Sequence, residues 1–219
     1  MNSNAELSSD LSGDMAGYAG RLRKCEWEVR PVAIAIAREI VERYHYARGA
    51  SKTRVYLHGL FRRGAFWDSD CVGVAWWIPP TRSAAQATYS KNWLGVLALS
   101  RLVVVPNTPK NACTFLLAHS VALIPATRWP CLVTYADDWR GHTGTIYRAS
   151  NWQYVGKTRA EETYTIDGVM TSRKAGGHTR TKAEMLALRA LCHGKHAKHK
   201  YVLIREHSTQ NRATNYKTK

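Results

Sequence analysis

Acidic side chains are scarce in this chain. Sixteen Asp and Glu stand against 32 Lys and Arg, leaving a formal net charge of +16 over 219 residues. Such an excess implies a polyanionic partner. A membrane surface fits less well, because no basic amphipathic helix is evident. Paired cysteine motifs are also missing. Cys25, Cys71, Cys113, Cys131 and Cys192 are odd in number, scattered and free of CxxC spacing. Three of them lie inside apolar runs, so reduced thiols in a cytoplasm are expected rather than a disulfide frame or a zinc site. No signal peptide and no span of about twenty apolar residues is found, which predicts a soluble, intracellular protein.

What is present argues for a folded enzyme-sized domain. Hydrophobic residues make up 45% of the chain, with eight Trp and eleven Tyr. The Ser/Asn/Asp/Gly-rich residues 1–22 read as a mobile leader, 23–206 as a single domain and 207–219 as a loose basic tail. Basic residues crowd the last third, about 171–206, where Lys174, Arg180, Lys195, His196, Lys198 and Lys200 are candidates to hold phosphates. His193, His196 and His199 recur at every third position, but the lysines between them would repel a metal cation. A basic, phosphate-facing turn over 193–200 is the expectation.

The order of elements predicts an α/β (α+β) fold, a mixed sheet with helices on both faces. Cys25–Val32 alternates like a strand, and Ala33–Tyr46 carries a helical apolar stripe that delivers His45 and Tyr46 to its end. A histidine there also suits a plain cap on the last carbonyls. Arg54–Phe61 and Cys71–Pro79 read as antiparallel strands, 81–94 as an ill-defined loop, and Val96–Val105 as a long strand interrupted by Ser100 and Arg101. An arginine in such a run has a buried partner or faces a cleft, and Asp137 on the presumed neighbouring strand favours the cleft. Lys110–Ile124 reads as an apolar helix whose start offers Asn111, Thr114 and free N–H groups to an anion or carbonyl. Thr163–Gly168 is a strand, and Lys182–Cys192 a helix with a capping box at Thr181 and Glu184.

One stretch concentrates the chemistry. YADDWRGHTGTIYRASNWQYVG, Tyr135–Gly156, ends a buried strand on Asp137 and Asp138, turns through Gly141, His142 and Gly144, and forms a short helix holding Tyr147 before Asn151. Carboxylate, imidazole and phenol thus meet where a strand hands over to a helix, a place where α/β sheets bind ligands. A well-capped strand–turn–helix with purely structural polar groups accounts for the same spacing.

The element order resembles the GCN5-related N-acetyltransferases over roughly residues 25–170, with Tyr147-x-x-x-Asn151-Trp152 at their helix-to-strand junction. The resemblance implies a central, mostly antiparallel mixed sheet and a general-acid role for Tyr147. Their cofactor loop is glycine-rich, whereas PNTPKNACTF, Pro106–Phe115, contains no glycine. Acetyl-coenzyme A is therefore the less favoured donor. His45–Tyr46, HGLF at His58–Phe61, SRLVV at Ser100–Val104, KNACTFL at Lys110–Leu116 and YAD…GHTGTIYRASNWQYVGKT at Tyr135–Thr158 resemble, in the same order, the Mom family of phages. That resemblance implies an enzyme of the bacterial host cytoplasm that places a carbamoylmethyl group on adenine in double-stranded DNA and so protects phage DNA from restriction.

On that reading Asp137 orients or deprotonates the adenine amine and Tyr147 protonates the leaving oxygen. His45 and Tyr46 shuttle protons or position the donor, and Arg101 stabilises an oxyanion or binds the donor phosphate. Asn111, Thr114, Ser100, His142 and Asn151 are donor- or substrate-binding candidates. An activated glycyl group, carried by glycyl-tRNA, suits both the charge and the product. Iron held by His45, Tyr46 and Asp137 stays open as an alternative. So do an acyltransferase for RNA or protein amines and a non-catalytic nucleic-acid-binding protein.

Overall fold

Strands rich in Val, Leu and aromatic residues build the centre of the sheet. In the computed structural model, which describes residues 20–175 and 178–205, a seven-stranded sheet has the order β1-β2-β3-β4-β5-β12-β6. Its members are β1 (Trp27–Pro31), β2 (Tyr56–Arg62), β3 (Gly73–Ile78), β4 (Val96–Val104), β5 (Cys131–Asp137), β6 (Gln153–Lys157) and β12 (Lys198–Ile204). Every pairing is antiparallel except β4 with β5. A parallel pair needs a crossover, and helix α3 (Ala112–Leu123) supplies it. The expected tail lies outside the described residues, as does the leader up to residue 19. Gly20 and Leu22 are pinned to the backbone of Lys110.

Both faces of the sheet are covered. On one, α3 and the short α4 (Thr145–Ala149) seal Leu97, Leu99, Leu132 and Tyr201 together with Leu116, Leu117, Tyr147 and Trp152. On the other, α1 (Ile34–Tyr44) lays Ala37, Ile40 and Val41 over Leu57, Phe61, Val74, Trp76 and Val103. Cys131, Val133 and Val202 continue that second face beneath α2 (Arg82–Gln86).

An irregularity in β4 matters for the site. Trp77 pairs with Leu99 but its neighbour Trp76 pairs with Arg101, so Ser100 is the extra residue of a bulge. Leu97, Leu99, Leu102 and Val104 then share the α3 face. Strict alternation would have placed Arg101 with Leu97 and Leu99. The bulge instead sends it with Val103 to the α1 face.

Three local expectations are corrected. Residues 81–94 are ordered as α2 and a 3-10 run, Ser90–Gly95: Thr81 caps the Ala84 N–H at 3.4 Å, and Tyr89 and Trp93 pack on the core. The helix expected over 182–192 stops as α5 (Lys182–Ala187), although its Thr181–Glu184 capping box is present. Arg189 turns at φ 54 and the chain enters β11 (Leu191–His196), which pairs with β7 (Glu161–Ile166). The basic turn expected over 193–200 is thus strand β11 followed by the start of β12. With β8 (Val169–Thr171), β7 and β11 form a second, three-stranded sheet, and β9 (Lys174–Ala175) pairs with β10 (His178–Thr179) beside it.

Candidate active site

β4 and β5 pair only over Val96–Leu99 and Cys131–Thr134, yet both continue beyond, to Val104 and Asp137. Past that point they diverge, and a cleft of about 380 Å3 opens between them. Residues of both sheet faces line it: Tyr147, Cys113 and Thr134 belong to the α3 side, His45, Tyr46 and Tyr135 to the α1 side. The Ser100 bulge and the Gly141–Ile146 turn close its rim.

Helix α1 ends by delivering two rings. His45 is the C-cap and is 8% exposed. Its backbone N–H caps the Val41 carbonyl at 3.0 Å, while its side-chain Nδ1 accepts the Ala47 N–H at 3.1 Å. Burial first, then the charge of Arg101 and the neighbouring His142, push its pKa down to about 3. The imidazole is therefore neutral, and with Nδ1 accepting, its one proton sits on Nε2. His45 enters the cleft as a hydrogen-bond donor.

Tyr46 packs its ring 4.4 Å from His45 and 5.1 Å, edge-on, from His142. Burial, and then the facing carboxylate of Asp137, raise its pKa far above the ordinary phenol value. Asp137 itself is 2% exposed and lies behind Tyr46, outside the cleft lining. Its Oδ1 accepts the Trp139 N–H at 3.2 Å. Its Oδ2 is buried without a hydrogen bond, and Lys198 Nζ stands 3.6 Å away. Arg101, part-buried, donates to the Gly49 and Ser100 carbonyls at 2.9 and 2.8 Å and to Ser100 Oγ at 3.1 Å. It buttresses the loop after Tyr46 from behind and does not line the cleft.

Across the gap, Tyr147 is packed between Trp152 and Tyr201, with ring centroids at 5.9 and 5.4 Å. Burial pushes its pKa up to about 12, against a smaller opposite effect of the Thr134 hydroxyl. The turn before it needs a glycine: Gly144 has φ 78, and a Cβ there would collide with the Tyr201 ring. Tyr201 in turn donates its hydroxyl to the Thr143 carbonyl at 2.6 Å.

With this geometry in view, the comparisons decide the family. The model of the Mom protein family matches residues 26–219. The chain belongs to the Mom family. A curated member, the methylcarbamoylase Mom of Escherichia phage Mu, is 25% identical over 206 residues, 88% of this chain and 80% of that protein. The fold is that of the N-acetyltransferases. The ribosomal-protein-S18-alanine N-acetyltransferase of Escherichia coli superposes with a TM-score of 0.51 at 12% identity, covering 84% of this chain and 97% of that one. Arabidopsis thaliana NAA60, solved with a bisubstrate analogue, gives 0.50 at 10% identity, covering 81% and 97%. Family and fold together make this Mom-family chain a transferase.

Several expected site residues stand elsewhere. Asn111, exposed with φ 70, and Thr114 flank the start of α3, but the cleft takes Cys113 from that turn. Burial pushes the Cys113 thiol up to about 12, so it is a lining group rather than a nucleophile. Asn151, at φ 61, forms the exposed turn into β6. His142 and Ser100 do line the cleft. Lys200 is part-buried and burial lowers its pKa. Lys174 pairs with Glu161 at 3.3 Å and Arg180 reaches the Ser172 carbonyl at 3.4 Å. His193 and His196 flank Trp139, at 4.6 and 6.2 Å between rings, while His199 faces Asp138 at 3.4 Å. His193 and His196 therefore stay together on Trp139, while His199 stands apart. Among the described residues no three His, Cys, Asp or Glu side chains come together as a metal site, and His45 has only Nε2 to spare. No described helix is long and apolar enough to cross a membrane.

Sequence reading missed Thr134 and Cys113. Strand alternation carries the first signal, since Thr134 is the polar residue on the Leu132–Ala136 face of β5.

The buried imidazoles predict acid lability. His58, in a core chain in which Trp77 Nε1 donates to Ser120 Oγ at 2.8 Å and Ser120 faces His58 Nδ1 at 2.7 Å, is lowered by burial to about 4. Both histidines have folded pKa values below the unfolded value of about 6.5. Their stabilisation is complete above that value and is lost as pH falls towards 4 and 3. Each is expected to remove on the order of 3 kcal/mol at full extent. The thermal midpoint should fall steeply between about pH 6 and 4, less so in His58→Asn; a midpoint unchanged over that window overturns the assignment.

Proposed function

We propose that the chain modifies adenine in double-stranded DNA, adding a carbamoylmethyl group to the exocyclic amine, in the cytoplasm of the phage's host. The observation that carries the reading is the cleft between β4 and β5, with Tyr46 backed by Asp137 on one sheet face and Tyr147 on the other. Kinship to the Mu protein, itself named a methylcarbamoylase, gives the product class. An amine inside the base stack is inaccessible, so the adenine is flipped into the cleft from the α1 side. The charge of +16 serves the phosphates.

The donor is an activated glycyl ester, with glycyl-tRNA as the carrier. The adenine nitrogen attacks the ester carbonyl; its proton passes to Tyr46 oxygen as the Tyr46 proton passes to Asp137. The neutral His45 donates Nε2–H to the developing oxyanion. Tyr147, held as a phenol by its raised pKa, protonates the departing ribose oxygen. Transfer yields adenine–NH–CO–CH2–NH2. The new amine then attacks ring carbon 6 through a five-membered spiro intermediate and expels the original nitrogen. The product is adenine–NH–CH2–CO–NH2, with atoms balanced and no redox step. Arg101 acts through the loop it braces.

Nucleoside mass spectrometry of DNA from bacteria expressing the chain is expected to show an adenosine heavier by a carbamoylmethyl group, absent with Asp137→Ala. Nitrogen-15 on the original exocyclic amine should finish in the terminal amide; label kept at ring carbon 6 overturns the rearrangement. Unmodified DNA beside abundant folded protein overturns the DNA reading.

A further inference from the structure

Two successive carboxylates, Asp137 at the end of β5 and Asp138 just past it, are each met by a lysine, one from the adjacent β12 and one from β6 beyond it. Lys157 of β6 reaches Asp138 at 2.8 Å, a full ion pair. Lys198 of β12 stands opposite Asp137 in register but stops at 3.6 Å, too far for a hydrogen bond. Asp137 Oδ2 is left buried without a donor, while the Lys198 side chain is 47% exposed. A buried carboxylate oxygen in that state is costly, and its nearest cation is held only loosely.

The Lys198 backbone, by contrast, is fixed from both sides. Its N–H donates to Thr158 Oγ1 at 3.0 Å, and its carbonyl accepts the Thr158 N–H at 2.9 Å. Only the ammonium is free to swing. Beyond it the surface stays cationic. The residue after Thr158 is Arg159, which together with Arg173, Lys174 and Lys195 lines a second cavity of about 400 Å3. Arg173 and Lys174 are paired there with Glu162 and Glu161 at 3.0 and 3.3 Å.

We propose that Lys198 is a substrate-responsive counterion: it neutralises Asp137 in the free enzyme and turns to a DNA phosphate when duplex docks, unmasking the carboxylate behind Tyr46. The inference rests on the DNA reading above and adds to it a phosphate site whose occupancy is coupled to the proton acceptor. Lys198 is a positioning residue in this scheme. Its ammonium leaves Asp137 only once the polyanion is in place, when the Tyr46 proton has somewhere to go.

The coupling is measurable without any donor, by binding of a fluorescent DNA duplex to the full chain at several salt concentrations. Lys198→Met should flatten the slope of log affinity against log salt by about 0.9, one phosphate contact. Asp137→Asn frees Lys198 and should tighten binding about fivefold, the scale of a partly exposed ion pair. In the Lys198→Met background the same Asn substitution should have no effect. An equal effect in both backgrounds, or none in either, overturns the proposal. As a check that needs no Asp137 variant, the Lys198 ammonium resonance of the wild-type protein should move on titration with duplex, identified by its absence in Lys198→Met. An unmoved resonance overturns it as well. Failure of every form to bind duplex would instead overturn the DNA reading itself.

Discussion

Tyr46→Phe and Tyr147→Phe are each expected to leave DNA almost unmodified, a loss of about 10²–10⁴ in the rate of modification. The two losses have different origins. Tyr46 lines the cleft and faces Asp137, which is 2% exposed and does not line it, so removing the Tyr46 oxygen breaks the relay from carboxylate to amine proton. Tyr147 is the phenol on the opposite face, and its pKa of about 12 keeps the proton in place until an alkoxide develops. Both substitutions keep the ring that packs: Tyr147 stays between Trp152 and Tyr201, and Tyr46 stays against His45. Stability should change by only about 1 kcal/mol, the net worth of a hydrogen bond. Near-wild-type thermal midpoints with lost modification separate chemistry from folding. Full modification by either variant would remove that tyrosine from the proton path.

His45→Ala should lose about 10²–10³ in rate, as for removal of one oxyanion donor, whereas His45→Gln should recover most of it. The argument is the tautomer. With Nδ1 accepting from Ala47 at 3.1 Å and a pKa near 3, the ring has a single proton, on Nε2, and no lone pair to offer the cleft. A glutamine amide supplies an N–H at similar reach and likewise does not titrate. The rate should therefore show no step from His45 between about pH 5 and 8. A step near the ordinary imidazole value that vanishes in His45→Ala would mean that this histidine works as a base. Equal inactivity of the Gln and Ala variants, both folded, would remove its donor role.

Much of this arrangement was legible in the chain itself. The apolar stripe of α1 predicts that its end delivers His45 and Tyr46, and the run into Asp137 predicts a strand ending on carboxylate beside the strand of Arg101. The family's ordered motifs fall on those same places. Three things escaped for physical reasons. A bulge is one residue out of register, and nothing in SRLVV marks Ser100 as the extra one; Asp137 on the next strand points Arg101 to the cleft, whereas the bulge turns it to the back wall. The left-handed turns before α3 were hidden as well, because the loop has no glycine and Asn107 and Asn111 take φ 68 and 70 instead. Asparagine tolerates the left-handed region that glycine usually fills. Finally, β11 joins the hairpin of β7 and β8 by long-range pairing of short strands, for which local composition carries little signal. Basic residues there looked like a turn because their partners are some 30 positions away.

The divergence of β4 from β5 has a kinetic corollary. A gap lined from both faces of one sheet gives two reactants separate approaches, so neither must leave before the other arrives. The lining thiol, Cys113, stays protonated at its pKa of about 12 and is a poor carrier of an acyl group. Turnover would thus run through a ternary assembly of both substrates with the enzyme, with intersecting rather than parallel double-reciprocal plots.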